Sequence, residues 1–304
     1  MKSGVRKSIS WTAAMPVVVG VAVYGFWYFA YPQVLMSHEQ SQLFVWDMTY
    51  LHDRLEMPGG LGDYLWSGVV QFFCTPMLGA LTMALLCVVL QVVSMWLFHR
   101  ILKKKWRVVS ALLSLVPPVL LCVMVNKPVG GTMEELEYDF LLRQARWDEI
   151  IEKNQQSKTM RLSCQNAVRI ALWKTGRMEL RDMRSCLMNS KEALSSRASA
   201  YMMSDIYLLL AQVGMSQRAA FEAMESIADY DKSGRSLQRL VETSLIMGRT
   251  EVALKYISLL ERTLFYRGWA KEMRLLAERP ELMKGTVYGQ LKKMYDESEN
   301  MLFY

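Results

Sequence analysis

Apolar positions fall into two regimes along this chain. Up to about residue 125 they run nearly unbroken between short polar joints; from about residue 132 they recur every three to four positions among charged residues, the period of one helix face. A bilayer core of about 30 Å takes about 20 apolar residues as a helix. Three runs approach that length, at about 11–31, 77–98 and 108–125. The first carries no formal charge and ends in Tyr24, Phe26, Trp27, Tyr28, Phe29 and Tyr31, aromatics suited to the water–lipid boundary. It exceeds the apolar stretch of about 7 to 15 residues found in signal peptides and no small-x-small cleavage site follows, so it reads as an uncleaved span. In the second, Gln91 is the one strongly polar residue, suited either to a helix–helix contact or to headgroups. Pro117 and Pro118 remove two backbone donors from the third and kink it.

The joints carry their own signals. Residues 32–63 hold the turn Met57-Pro58-Gly59-Gly60 and, over 37–55, a stripe of Leu43, Phe44, Met48, Leu51 and Leu55 that predicts a short surface helix. Residues 64–74, with Trp66, Phe72 and Phe73 beside Ser67 and Gln71, predict an interfacial helix parted from the second span at Thr75-Pro76.

Beyond residue 131 four junctions of similar make-up sit between amphipathic runs, centred on Ala145, Gly176, Gly214 and Gly248 at spacings of 31, 38 and 34 residues. The period of tetratricopeptide-type helical hairpins is about 34 residues, and a small residue at the junction permits the left-handed turn between antiparallel helices. Ala219 and Ala253, five residues past the later glycines, would let paired helices approach closely. Stacked hairpins bury one continuous core, here begun by Leu142, Ile150, Ile151 and Ile170 and continued by Leu240, Leu245, Ile246 and Ile257. A capping helix over about 269–276, a break at Pro280, a last helix over about 286–297 and the apolar tail Met301-Leu302-Phe303-Tyr304 complete the pattern. The fold class predicted is all-α: three transmembrane helices within residues 1–131, then a tetratricopeptide-like helical-hairpin solenoid over 132–304.

Charge orients this arrangement. Lys2, Arg6 and Lys7 precede the first span, and Arg100, Lys103, Lys104, Lys105 and Arg107 separate the second from the third. Short cationic loops stay on the cytoplasmic side, which predicts the amino terminus and residues 99–107 inside, and residues 32–63 and 132–304 outside. Of the net +7, the first 131 residues hold +5 and the rest +2. The excess is topological, and without a dense basic face the second half is not expected to bind nucleic acid.

Candidate chemistry is sparse. The five cysteines lack metal-ligand spacing, and Cys74, Cys87 and Cys122 lie in apolar runs where cysteine is a small hydrophobe. Cys164 and Cys186 lie twelve residues before and ten after Gly176, at similar heights on antiparallel helices. They are either a disulfide in an oxidising compartment or two buried free thiols. Glu39 and Asp47 in the first outer loop are candidates for a cation or sugar-phosphate site, against the alternative of a solvated loop. No nucleophile constellation, glycine-rich phosphate loop or spaced His/Cys cluster is present, so neither cofactor nor metal is implied.

The stretches Glu39-Gln40-Ser41-Gln42-Leu43-Phe44, Pro58-Gly59-Gly60-Leu61 with Tyr64, Gln71-Phe72-Phe73 and Pro76-Met77-Leu78-Gly79-Ala80-Leu81 resemble the opening of a family of uncharacterised bacterial inner-membrane proteins, mainly from Bacteroidetes, carried as a domain of unknown function. In the second half Phe221-Glu222-Ala223-Met224, Ser233-Gly234-Arg235, Arg239-Leu240-Val241-Glu242-Thr243, Lys255-Tyr256 and Thr263-Leu264-Phe265-Tyr266-Arg267-Gly268-Trp269-Ala270 are similar too. The resemblance implies a polytopic membrane part followed by a helical-repeat part, and brings no activity or catalytic residue with it. Family members carry more spans between the positions of Val125 and Thr132. The function expected is a membrane-anchored interaction scaffold, in contact with membrane lipids and presenting its repeats to a peptide or protein partner. The alternative is a membrane enzyme or enzyme subunit acting on lipid-linked sugars through Glu39 or Asp47. A transporter assembly part is disfavoured by spans whose only strongly polar residue is Gln91.

Overall fold

The opening apolar run is helical over Trp11–Gly25 (α1) and widens to a π-type winding over Phe26–Ala30. Tyr31 then leaves helical space, and Pro32, whose ring fixes φ in the helical range, opens α2 (Pro32–Glu39). The axis bends by 83° across this break. The structure is a computed structural model describing residues 11–102, 106–186, 194, 196–211 and 233–300. The described residues are helices and loops with no strand.

Backbone contacts divide the chain into two compact units. The first takes the residues up to Met36 together with Phe72–Lys127, and the second takes Ser37–Gln71 together with everything from Pro128. The sequence had assigned 37–71 to the membrane domain; the structure builds it into the second unit.

In the first unit, Thr75 caps a long helix α5 (Pro76–Ile101), its Oγ1 accepting the Leu78 N–H, with Pro76 in the first turn. The 26 residues of α5 make a rod of about 39 Å, more than the hydrocarbon thickness. Gly79, Ala80, Met83, Ala84, Cys87, Gln91 and Ser94 form its buried face, and Leu81, Leu85, Val89, Val92 and Trp96 are exposed on the other side, as suits a lipid-facing surface. Gln91 therefore points among helices and not towards headgroups. After the basic loop come α6 (Arg107–Leu113) and α7 (Val116–Val125). The break falls one turn before Pro117-Pro118 because the donors the prolines lack are those that would bond back to Leu113 and Ser114. Among the described residues two helices, Pro76–Ile101 and Val108–Val125, are long and apolar enough to cross a membrane, and three if the bent pair around Tyr31 counts as one broken span.

The second unit is built from helical hairpins. The helices α8 (Met133–Arg143) and α9 (Trp147–Gln156) meet at Ala145; α10 (Leu162–Lys174) and α11 (Leu180–Cys186) meet at Gly176. Past α12 (Arg197–Ala211), α13 (Gly234–Ile246) and α14 (Thr250–Leu260) meet at Gly248. Ala145, Gly176 and Gly248 have φ of 52°, 73° and 73°. The next residue, an arginine each time, donates its N–H five residues back: Arg146 to Leu141, Arg177 to Leu172 and Arg249 to Ser244, at 2.8 to 3.0 Å. One helix-ending motif, the Schellman closure, is thus used three times. Gly214 and Ala219 lie outside the described residues.

The expected end of the chain is present as α15 (Arg267–Glu278), a turn of helix α16 (Pro280–Met283) begun by Pro280, and α17 (Val287–Asn300). One core packs Leu142, Ile150, Ile151, Cys164, Ile170 and Met203; another packs Leu240, Leu245, Ala253, Ile257, Ala270 and Met273. The first outer segment does not form the single surface helix expected over 37–55. It is extended after α2, with Trp46 N–H bonded to Arg262 O, and regains helix only at α3 (Met48–Leu55), where Asp47 is the cap. Its next helix is α4 (Gly60–Val70).

Candidate functional site

Ionic side chains in the interior of the second unit define its most distinctive locality. Ser233 caps α13 in a reciprocal capping box with Ser236, which fixes the first turn and aims Arg235 inward. The Arg235 guanidinium forks onto Asp139 of α8 with both bonds at 2.8 Å, reaches Asp205 of α12 at 2.6 Å, and donates to Gln40 Oε1 at 3.1 Å. Its flat face lies 4.6 Å from the centre of the Tyr201 ring. Arg239, one turn on, pairs with Asp205 and with Glu242, and Glu242 accepts the Tyr288 hydroxyl at 2.9 Å. Four helices and Gln40, the residue that follows α2, thereby share one network. Bidentate, charge-assisted bonds of this kind satisfy the donors and acceptors that burial would otherwise leave costly.

Electrostatics follow from this packing. Burial pushes the Asp205 carboxyl up, but Arg235 and Arg239 overcome this and hold it below the ordinary carboxylate range. Burial works against the Arg235 charge too, and Asp139 with Asp205 more than compensates. Arg235 and Arg239 thus face Asp139, Asp205 and Glu242, Arg143 adds its charge from an exposed position, and Glu39 is a further carboxyl. Burial raises Glu39 from 4.5 to about 7 against the opposing Tyr266 hydrogen bond and the charges of Arg143 and Arg235.

Glu39 ends α2 and accepts the Tyr266 hydroxyl at 2.6 Å. The Tyr266 ring lies flat on Gly234: a Cβ there would come within 2.2 Å of it, so the glycine admits the ring. Around the carboxyl stand Gln42, Phe44, Ser67, Gln71 and Thr263, and the free cavity measures about 10 Å³, room for about one water molecule. Gln42 accepts the Ser67 hydroxyl at 3.0 Å. Asp47 is engaged elsewhere. It caps α3 through the Thr49 N–H and pairs with Arg262 at 2.7 Å, and the Thr49 bonds, ahead of Arg262, hold its carboxyl low. The two candidates thus engage different partners: Glu39 is buried, whereas Asp47 lies on an exposed stretch of loop. Among the described residues no group of three or more His, Cys, Asp or Glu is placed to hold a metal ion.

The remaining candidates divide as follows. Lys2, Arg6, Lys7, Lys103, Lys104 and Lys105 lie outside the described residues, as does the side chain of Arg107, while Arg100 sits over the Trp96 ring at 4.7 Å. Cys164 is buried and free, with burial pushing its thiol up to about 12; the side chain of Cys186 lies outside the described residues. Arg235, Arg239 and Glu242 stand in the stretches that carry the family resemblance, without a role; Asp139 and Asp205 are in neither those stretches nor the candidate sites. The available signal was charge on the apolar face: Asp139 stands between Leu136 and Leu142, and Arg235 with Arg239 brackets Leu237.

These features define a membrane protein, all-helical among the described residues, whose second unit is held by a buried ionic network. Residues 7–129 and 130–303 match the family of unknown function DUF6057, and the chain belongs to that family. No curated protein and no solved structure matches it.

Proposed function

We propose that this protein is a membrane-anchored scaffold of the bacterial inner membrane whose helical hairpins, tetratricopeptide-like in period, receive a peptide or protein partner on the periplasmic side. The observation that carries the reading is the way the first outer segment is built into the hairpins. Gln40 on Arg235 and Glu39 on Tyr266 join residues made before α5 to residues made after α7. Segments packed into one water-facing core lie on one face of the bilayer, so the crossings between residues 71 and 128 are even in number. The helices Pro76–Ile101 and Val108–Val125 supply two. With the cationic loop between them inside, the rest of the second unit is outside. The repeat reading is supported by the threefold use of one hairpin closure, and solenoids of stacked hairpins bind partners along an extended concave face.

Alkaline phosphatase fused after residue 60 and after residue 135 is expected to be active, and fused near residue 103 inactive. Activity at only one of the first two sites breaks the parity argument. For the scaffold role, crosslinking in native membranes followed by co-purification should return the same protein partner repeatedly. Recovery of a lipid-linked sugar in place of a protein supports the enzymatic alternative.

A further inference from the structure

The first unit brings together two cysteines from separate apolar runs of the sequence. Cys87 on α5 and Cys122 on α7 are 35 residues apart, and their sulfurs are 3.7 Å apart. Cys87 also donates to Pro118 O at 3.9 Å. Trp27 is fully buried in the π-wound segment, on the side of Cys122, and its indole N–H has no hydrogen-bond partner. A π-type turn inside a helix recurs at functional sites, and here it presents that indole. Other polar atoms nearby are unmet. Gln91, one turn along α5 from Cys87 on the same buried face, has both amide atoms buried without a partner, and so is Asn126 Oδ1 at the end of α7. Native interiors hold few such atoms, and clusters of them call for a ligand or water.

A cleft of about 280 Å³ opens beside this group, between α1 (Val19, Ala22, Val23) and α7 (Val119), with Cys122 and Asn126 in its wall. It has about the size of a small-molecule pocket, is apolar apart from these two side chains, and runs the length of α7 from Leu115 to Asn126. We propose that Cys87 and Cys122 form a redox-active dithiol whose oxidant is a lipid-soluble quinone seated in this cleft. The two S–H bonds break and one S–S bond forms between the cysteines. Both electrons and both protons pass to the quinone, which leaves as the quinol. The Trp27 N–H stabilises negative charge developing on the Cys122 sulfur as its proton departs, and Asn126 Oδ1 accepts a hydroxyl of the product. An oxidant dissolved in lipid is required because both sulfurs lie within the apolar unit, away from water-borne disulfides.

The test uses the full chain, reduced, desalted and held without oxygen in lipid nanodiscs, with decylubiquinone as the probe. One quinol per protein should appear together with loss of two alkylatable thiols and a linked peptide pair containing Cys87 and Cys122. Cys87→Ser and Cys122→Ser should each abolish the linkage. Ala22→Phe, which fills the cleft, should slow oxidation by the quinone while copper–phenanthroline still joins the pair, showing the thiols in place. Full alkylation of both cysteines after exposure to quinone overturns the proposal. So does a quinone reaction that Ala22→Phe leaves at its original rate, or a reduced pair that retains copper(I) and ignores the quinone.

Discussion

Glu39 sits against a network whose two buried guanidinium groups already face three carboxylates, and keeping its proton avoids one more buried negative charge. Its carboxyl ionises near 4.5 in the unfolded chain and near 7 in the folded one. Below about pH 4.5 both forms are protonated and the contribution of Glu39 is intact. As pH rises through 7 the folded protein must ionise a buried acid, and up to roughly 3 kcal/mol is lost. Asp205 has the opposite sign: its stabilisation is present above the ordinary carboxylate range and is lost on acidification through its depressed value. Glu39→Gln, a mimic of the protonated acid, should therefore protect the second unit from pulse proteolysis at pH 8 and change little at pH 5; equal effects at both pH values would contradict the shift. Arg235→Ala leaves Asp139 and Asp205 buried without their principal partner, and should destabilise the unit by about 3 to 5 kcal/mol. Hydrogen exchange along α13 in the intact protein reads that loss locally.

Three hairpins close with the same backbone motif, yet only two have glycine at the left-handed position. Ala145 adopts φ of 52°, a region that costs an L-residue about 1 to 2 kcal/mol. Ala145→Gly should remove most of that strain and, after the extra unfolded-state entropy of glycine, stabilise the α8–α9 hairpin by roughly 0.5 to 1 kcal/mol. Slower hydrogen exchange in α9 is the expected readout, and faster exchange would mean the alanine is not strained. The hairpins were legible in sequence because small residues, periodic apolar faces and capping residues act over a few positions. Pro280 was legible as a boundary for the same reason, and Ala253 as a buried contact. The stretch 40–47 was misread because its apolar residues fit helical spacing, whereas docking against the Arg262 loop holds it extended. The ionic network was invisible in sequence because its partners come from four separate helices. Nothing local to Asp139 announces Arg235, 96 residues further on. The thiol pair was hidden in the same way, each cysteine being an unremarkable member of an apolar run.

At the scale of the whole molecule, the second unit is interrupted: it begins, gives way to the two apolar helices Pro76–Ile101 and Val108–Val125, and resumes. The phosphatase fusions proposed above examine this arrangement directly, since residues 60 and 135 must share a compartment if the core is continuous. Interruption also sets a schedule for assembly. Gln40 and its partner Arg235 are 195 residues apart, and at about 5 to 20 residues per second the ribosome takes about 10 to 40 s to pass from one to the other. On the topology proposed above, Phe44, Val45 and the Glu39 carboxyl spend that interval across the membrane without the surfaces that will bury them. The nascent outer segment is therefore a substrate for holding chaperones, and a translation pause within residues 128–235 lengthens the period in which a protease can cut the protein at its first outer loop.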